Sequence, residues 1–429
     1  MAKHQKKFSP QQRAKLLTAQ NRKLFFERFR NLLKVLTGTT ELYNSIPEKI
    51  LEKIYEERVL SMVVEAEKGN FIDPQILKSI KESLQLYSRN ETCTITETNE
   101  TITISDFLTT GITMMRCKDL IKPADFPDAE KLILLSDQFI KSQEKAGSAF
   151  ESLMKIFWIA IILESKLNGQ LYCAEMKPGL TFSNGGYYGC MKLLISSSVP
   201  QKIEVTINES VRPAYRVGGI EFPNQLNWCE REASLFGLTG NNNMLPVYIQ
   251  MHAINRIEER LDCASKNILN FSIYTSLKEG TVKPGLNNQY LIEFRYLNWK
   301  LGYLLCMVFK DKIVARTFLF LTNNGTPEGK KLYDIAGIKK YDKKYLQIDK
   351  LSTFVDPELL RNETLRRLFF DAGCGDLFDY AENKMKENDA GVSHNIANAL
   401  INYLMLKPVE ADAPPDFSDA LAHERYRCY

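Results

Sequence analysis

The chain has 429 residues, 44% hydrophobic and 25% charged, with a formal net charge of +4. That length exceeds one ordinary core and points to two or three domains, while the composition excludes fibrous and fully disordered classes. Charge is unevenly placed: residues 1–34 hold ten Lys or Arg against Glu27 alone, a net +9 that leaves −5 on the remainder, so the basicity belongs to one end.

Nine cysteines are scattered without a C-x-x-C pair and apart from the four histidines, which gives no support to a zinc site or a disulfide framework. Reduced thiols in the cytoplasm, with no metal and no cofactor, are the expectation. The strongest apolar run, "IFWIAIIL" at 156–163, falls far short of the roughly 20 residues a membrane helix needs, and no apolar signal core follows the N-terminal lysines. No membrane span is expected.

The basic arm reads as a helix. Leu17, Phe25, Phe29, Leu32 and Leu36 fall at helical spacing, and "TGTT" at 37–40 closes it. Three uses fit this pattern: a helix docked on the body with a solvated basic face, a nucleic-acid arm in which Arg22, Lys23, Arg28 and Arg30 meet phosphates, or a helix lying on a membrane surface. "IPEKILEKIYEERVLSMVVEAEKG" predicts a helix with Pro47 in its first turn and a stop at Gly69. "TCTITETNETITI" reads as a small hairpin over about 92–104, and helical character returns over 128–167.

From residue 170 the period changes. "QLYCAEMK", "GYYGCMKLLISSS", "KIEVTINES" and "AYRVGGIEF" predict antiparallel strands. A helix is expected from Val247 to about Asn270, then strands over "FSIYTSL", "QYLIEFRYL", "GYLLCMVF" and "KIVARTFLFLT", the last two joined by a turn at Lys310-Asp311. The stretch Gly325 to Lys331 lacks P-loop spacing. "KKYDKKY" at 339–345 interleaves lysines with Tyr341 and Tyr345, a pattern of a solvated face or of a surface that stacks single-stranded nucleic acid. "DPELLRNETLRRLFFDAG" and "HNIANALINYLMLK" read as closing helices before a proline-acidic linker.

The expected fold class is therefore α+β: a mainly helical domain over 1–167, an antiparallel-sheet domain with a packed helix over 168–355, helices over 356–407, and a linker and tail over 408–429. Trp158, Trp228 and Trp299 are expected in cores, and His4, His394 and His423 as ordinary polar residues.

One constellation can carry chemistry. In the helix expected from Val247, the residues Val247, Ile254, Ile257, Leu261 and Ile268 share an apolar side. His252, Arg256 and Arg260 descend the other side at offsets of about 40°, with Glu259 beside them. Two arginines can hold phosphate oxygens and stabilise a pentacoordinate transition state, and a histidine near fixed cations tends toward its neutral, basic form. Arg295 and Arg316, in otherwise apolar strands, need an anionic partner or a cleft, and Arg316 fits the set as an auxiliary cation. The plain alternative is that Glu293 pairs with an arginine across the sheet.

His252, Ala253, Arg256 and Arg260, followed by antiparallel strands ending in "VARTFLFL", resemble bacterial ribonuclease toxins of the RelE-like and barnase-EndoU-colicin class over residues 251–321. The resemblance implies a helix packed on an antiparallel sheet, with basic and polar side chains cleaving RNA without a metal. It departs from the class in chain length and in the long "LKEGTVKPGLNNQ" connection. The leading reading is thus engagement of RNA or another nucleic acid, extending to metal-independent cleavage with His252 as base, Arg256 and Arg260 as phosphate clamps and Arg316 assisting. The competing reading is a non-catalytic protein that binds a protein partner, such as an accessory component of a mobile element, phage or defence assembly.

Overall fold

A computed structural model describes residues 9–59, 62–95, 100–145, 149–183, 186–207, 210–238, 243–285 and 287–389. His4, His394, His423, the helix expected near 394–407 and the tail expected over 408–429 lie outside the described residues. The fold is α+β, with helical N- and C-terminal regions and a central, mostly antiparallel sheet. The described residues form two compact units. The first runs to Phe157 and takes in Glu175–Ile195; the second takes in Trp158–Ala174 and the chain from Ser196 onward. The division thus falls inside the apolar helix Ala149–Glu164 rather than at 167, and a β-rich segment joins the helical unit.

In the first unit, Pro10–Thr37 is one helix, stopped by Gly38 in the left-handed conformation at φ 76°. Of the expected stripe, Phe25, Phe29 and Leu32 are buried, with Leu33 beside them, and Leu36 is half-buried, which is the docked arrangement among the three uses the sequence allows; Leu17, nearer the N-terminus, is 58% exposed and does not share it. The helix after Pro47 ends at Glu56, earlier than its period suggests, and Met62–Ala66 is a strand. Val63 and Val64 are β-branched, and the segment pairs in parallel with Met191–Ile195, so a strand partner outweighs helical spacing. The hairpin is present as Thr92–Thr94 against Thr101–Thr103.

The second unit is organised by a sheet. Its main path takes in β1 (Lys202–Ile207), β2 (Ser210–Arg216), β3 (Met244–Gln250), β4 (Val282–Pro284), β5 (Gln289–Tyr296), β6 (Trp299–Phe309) and β7 (Lys312–Phe320), and the short strand Glu230–Glu232 pairs antiparallel with the start of β3. Their spatial order is β4-β5-β6-β7-β3-β2-β1, and every neighbouring pair is antiparallel except β3 with β7. Between β3 and β4 run helices α1 (Met251–Arg260) and α2 (Lys266–Glu279). Helix α1 packs on β7, and α2 on β5 and on the hairpin strand Gly218–Glu221.

Two expectations fail here. Val247–Gln250 belongs to a strand, not to the first turns of a helix, and "FSIYTSL" lies within α2, not in a strand. Helix α2 is buried on most sides, through Ile268, Leu269, Phe271, Ile273, Tyr274 and Leu277, so its apolar residues show no helical stripe. Trp158 is buried and its Nε1 donates to the Ile220 carbonyl at 2.7 Å, whereas Trp228 and Trp299 are only half-buried. After β7 come α3 (Pro327–Ala336) and α4 (Lys340–Tyr345), then the expected helices Pro357–Arg361 and Glu363–Asp371, N-capped by Asp356 and Asn362. Phe354, Phe369 and Phe378 close the core of this end.

Candidate functional site

Strand β3 passes into α1 without a loop: Gln250 is the last extended residue and Met251 the first helical one. Ala253, Ile254 and Ile257 face inward, which fixes the helix on the sheet and leaves His252 and Arg256 half-buried on its other side. The strand register then decides what surrounds them. On one side Ile249 pairs with Ala315 of β7, so Arg316 comes next along the carboxyl end of the parallel pair. On the other side Gln250 pairs with Ala214 of β2, so Arg212 lies two residues beyond it in the direction of α1.

Arg316 is the extra residue of a β-bulge, since Leu305 pairs with Thr317 and Cys306 with Ala315. Bulges re-aim a side chain and break the ladder locally. Arg316 is half-buried and makes no hydrogen bond or ion pair among the described residues. Arg212 is exposed and likewise unpaired, and the amide Nε2 of Gln250, a residue only 1% exposed, has no acceptor. A buried donor without an acceptor and a half-buried guanidinium without a counter-charge are both costly in isolation.

His252 is held below the usual histidine range, first by burial and then by the positive charges of Arg256 and Arg212, with Glu259 acting in the opposite direction. Its imidazole is therefore neutral at pH 7 and able to accept a proton. Arg256 Nη1 donates to Glu259 Oε2 at 2.6 Å, so its charge is partly balanced on the same helix. Arg260 departs further from expectation. Its guanidinium donates to the carboxylate of Asp349, a residue 6% exposed, and to the Asp349 carbonyl at 3.3 Å. It thus ties α1 to the loop after α4 instead of standing free for phosphate.

The structure therefore brings His252, Arg256, Arg212, Arg316 and Gln250 to one strand end, and sequence reasoning missed Arg212 and Gln250. Their only local signals are an arginine in the strand "SVRPAYR" and a polar residue closing the apolar run "VYIQ".

Arg295 belongs elsewhere. It lies on β5, separated from β3 by β6 and β7, and its Nε donates to Glu293 Oε1 at 2.8 Å on its own strand. Glu293 is part of a second polar cluster, in which Lys300 Nζ and Tyr303 Oη donate to Glu328 Oε1 at 2.6 and 3.0 Å. Burial opposes the Lys300 charge, but the bonds to Glu328 and Tyr303 prevail and hold the ammonium above its ordinary range. Burial, aided by the Glu328 charge, pushes the Tyr303 phenol up to about 12. Both bonds go to Glu328 Oε1, which fastens α3 to the sheet, while the buried Oε2 has no partner among the described residues. Glu328→Ala should cost about 2 kcal/mol, because the half-buried Lys300 keeps as counter-charge only Glu293, at 3.7 Å. Urea unfolding measures this; an unchanged midpoint would show that the cluster contributes nothing.

The four residues of the expected nucleic-acid arm have internal partners. Arg22 pairs with Glu52, Lys23 with Glu27 at 3.8 Å and Arg28 with Asp106 at 3.1 Å, while Arg30 stands 6.0 Å from the Tyr43 ring centroid. Among the described residues no group of three or more His, Cys, Asp or Glu is placed to hold a metal ion, and no helix is long and apolar enough to cross a membrane. Compared with protein-family models, with curated proteins and with solved structures, the chain matches none of them.

Proposed function

We propose that the carboxyl end of β3 binds a phosphodiester of RNA and cleaves it without a metal, in the manner of the RelE-like and barnase-EndoU-colicin toxins that the His252 segment resembles. His252 takes the proton of the 2′-hydroxyl, the 2′-oxygen attacks phosphorus, and the P–O5′ bond breaks to leave a 2′,3′-cyclic phosphate. The departing O5′ takes its proton from water. Arg212, Arg256 and Arg316 stabilise the extra negative charge of the phosphorane, and the Gln250 amide supplies a neutral donor.

The observation that carries this reading is the meeting of a neutral imidazole with unpaired cationic and amide donors at one strand end. The test is cleavage of a panel of unstructured RNAs in EDTA by the wild-type protein and by Arg316→Ala. Cleavage that survives chelation and falls about 10²-fold in the variant is the expected result. A wild-type protein that cuts none of the RNAs sinks the proposal.

One observation favours the non-catalytic reading of an interaction protein: Arg256 and Arg260 are already balanced by carboxylates of this chain. On that reading the wild-type protein and Arg316→Ala leave every RNA intact.

A further inference from the structure

We propose that α4, together with the adjoining surface of α3, is a stacking platform for single-stranded RNA, an inference that deepens the ribonuclease reading by assigning where the substrate strand is held. Helix α4 has only six residues and would not persist alone. It is fixed by Lys343, which is 2% exposed and whose Nζ donates to the Gly329 carbonyl of α3 at 2.7 Å. Its first turn is closed by the Lys339 N–H, which donates to Asp342 Oδ2 at 2.8 Å.

Turning Lys343 inward dictates what faces out. Successive helical residues rotate by about 100°, so Tyr341 and Tyr345, two before and two after Lys343, fall within about 40° of each other on the opposite side. They are 84% and 87% exposed. Two tyrosines one turn apart on a fastened helix, their Cβ atoms about 6 Å from each other, offer two exposed π-faces. Unstacked bases of a flexible single strand can settle on such faces, whereas paired bases in a duplex cannot.

Charge selects the same occupant. Lys330, Lys331, Lys339, Lys340 and Lys344 are exposed and make no side-chain hydrogen bond or ion pair among the described residues. The acidic groups interspersed with them are Asp334 and Asp342, and Asp342 already accepts the Lys339 N–H. Cations around exposed rings suit a polyanion that carries its own aromatic planes. The platform is also tied to the site by the chain itself: four residues after Tyr345 comes Asp349, which holds Arg260 of α1.

The experiment measures binding apart from cleavage. A fluorescent twelve-nucleotide 2′-O-methyl RNA, which has no 2′-hydroxyl to attack phosphorus, is titrated by anisotropy against the full chain. Partners are Tyr341→Ala/Tyr345→Ala and Tyr341→Phe/Tyr345→Phe, each with its melting temperature checked. The expected result is a Kd about 100-fold weaker for the double alanine variant and near wild type for the double phenylalanine variant. A blunt duplex of the same length should bind more weakly and respond little to the tyrosine changes. Equal binding by the double alanine variant and the wild type, or no preference for single strands, overturns the platform. Binding that follows the tyrosines in a protein that never cleaves RNA sustains the platform and rejects the ribonuclease; cleavage indifferent to the tyrosines does the reverse.

Discussion

His252→Ala is expected to slow RNA cleavage in EDTA by about 10²- to 10⁴-fold, the range that one positioned general base contributes. The pH dependence distinguishes this role from a structural one. Only the neutral imidazole can take the 2′-hydroxyl proton, so the rate falls as pH drops through the His252 pKa. Burial, Arg256 and Arg212 place that pKa below the ordinary value of 6.5. The ascending limb of the wild-type profile therefore lies on the acid side of pH 6.5, and at pH 7 the neutral, proton-accepting form of His252 predominates. Arg212→Ala removes a positive neighbour and moves the limb toward higher pH, while Glu259→Gln removes a negative one and moves it lower. A limb above pH 6.5, or one that ignores both variants, would show that another group controls the reaction.

The parts of this site that were legible in the sequence are those set by local periodicity. His252, Arg256 and the inward Ile254 and Ile257 lie within two turns of one helix, so spacing alone places them. Helix α1 could not be delimited the same way. The strand "VYIQ" runs into "MHAINRIEER" with no glycine or proline between them, and a short apolar run reads equally as strand or buried helix. Arg212 and Gln250 are functional candidates only because β2 and β3 pair in one particular register, and nothing near either residue announces that pairing. The diversion of Arg260 was hidden for the same reason, its partner lying 89 residues along the chain. Arg295 is the converse case. Its pairing with Glu293 was open to reading, but as a bond across the sheet, whereas both sit on β5 two residues apart.

Asp349→Ala is expected to destabilise the protein by about 3 kcal/mol, the cost of breaking a buried ion pair and leaving Arg260 only the more exposed Glu259, at 3.9 Å. The side chains of Arg260 and Asp349 are 15% and 9% exposed, so water replaces little of what the substitution removes. Urea unfolding followed by circular dichroism would report the loss as a lower midpoint. The double variant Arg260→Met/Asp349→Leu should recover most of it, because apolar side chains of similar bulk avoid the desolvation of both charges. These two outcomes together define Arg260 as an anchor for α1, and they predict that the double variant keeps its chelator-resistant cleavage within about tenfold. If Asp349→Ala instead unfolds at the wild-type midpoint, the pair does not hold α1 in place. The Arg260 guanidinium is then available to a phosphate, and it rejoins Arg212, Arg256 and Arg316 among the cations that the transition state can use.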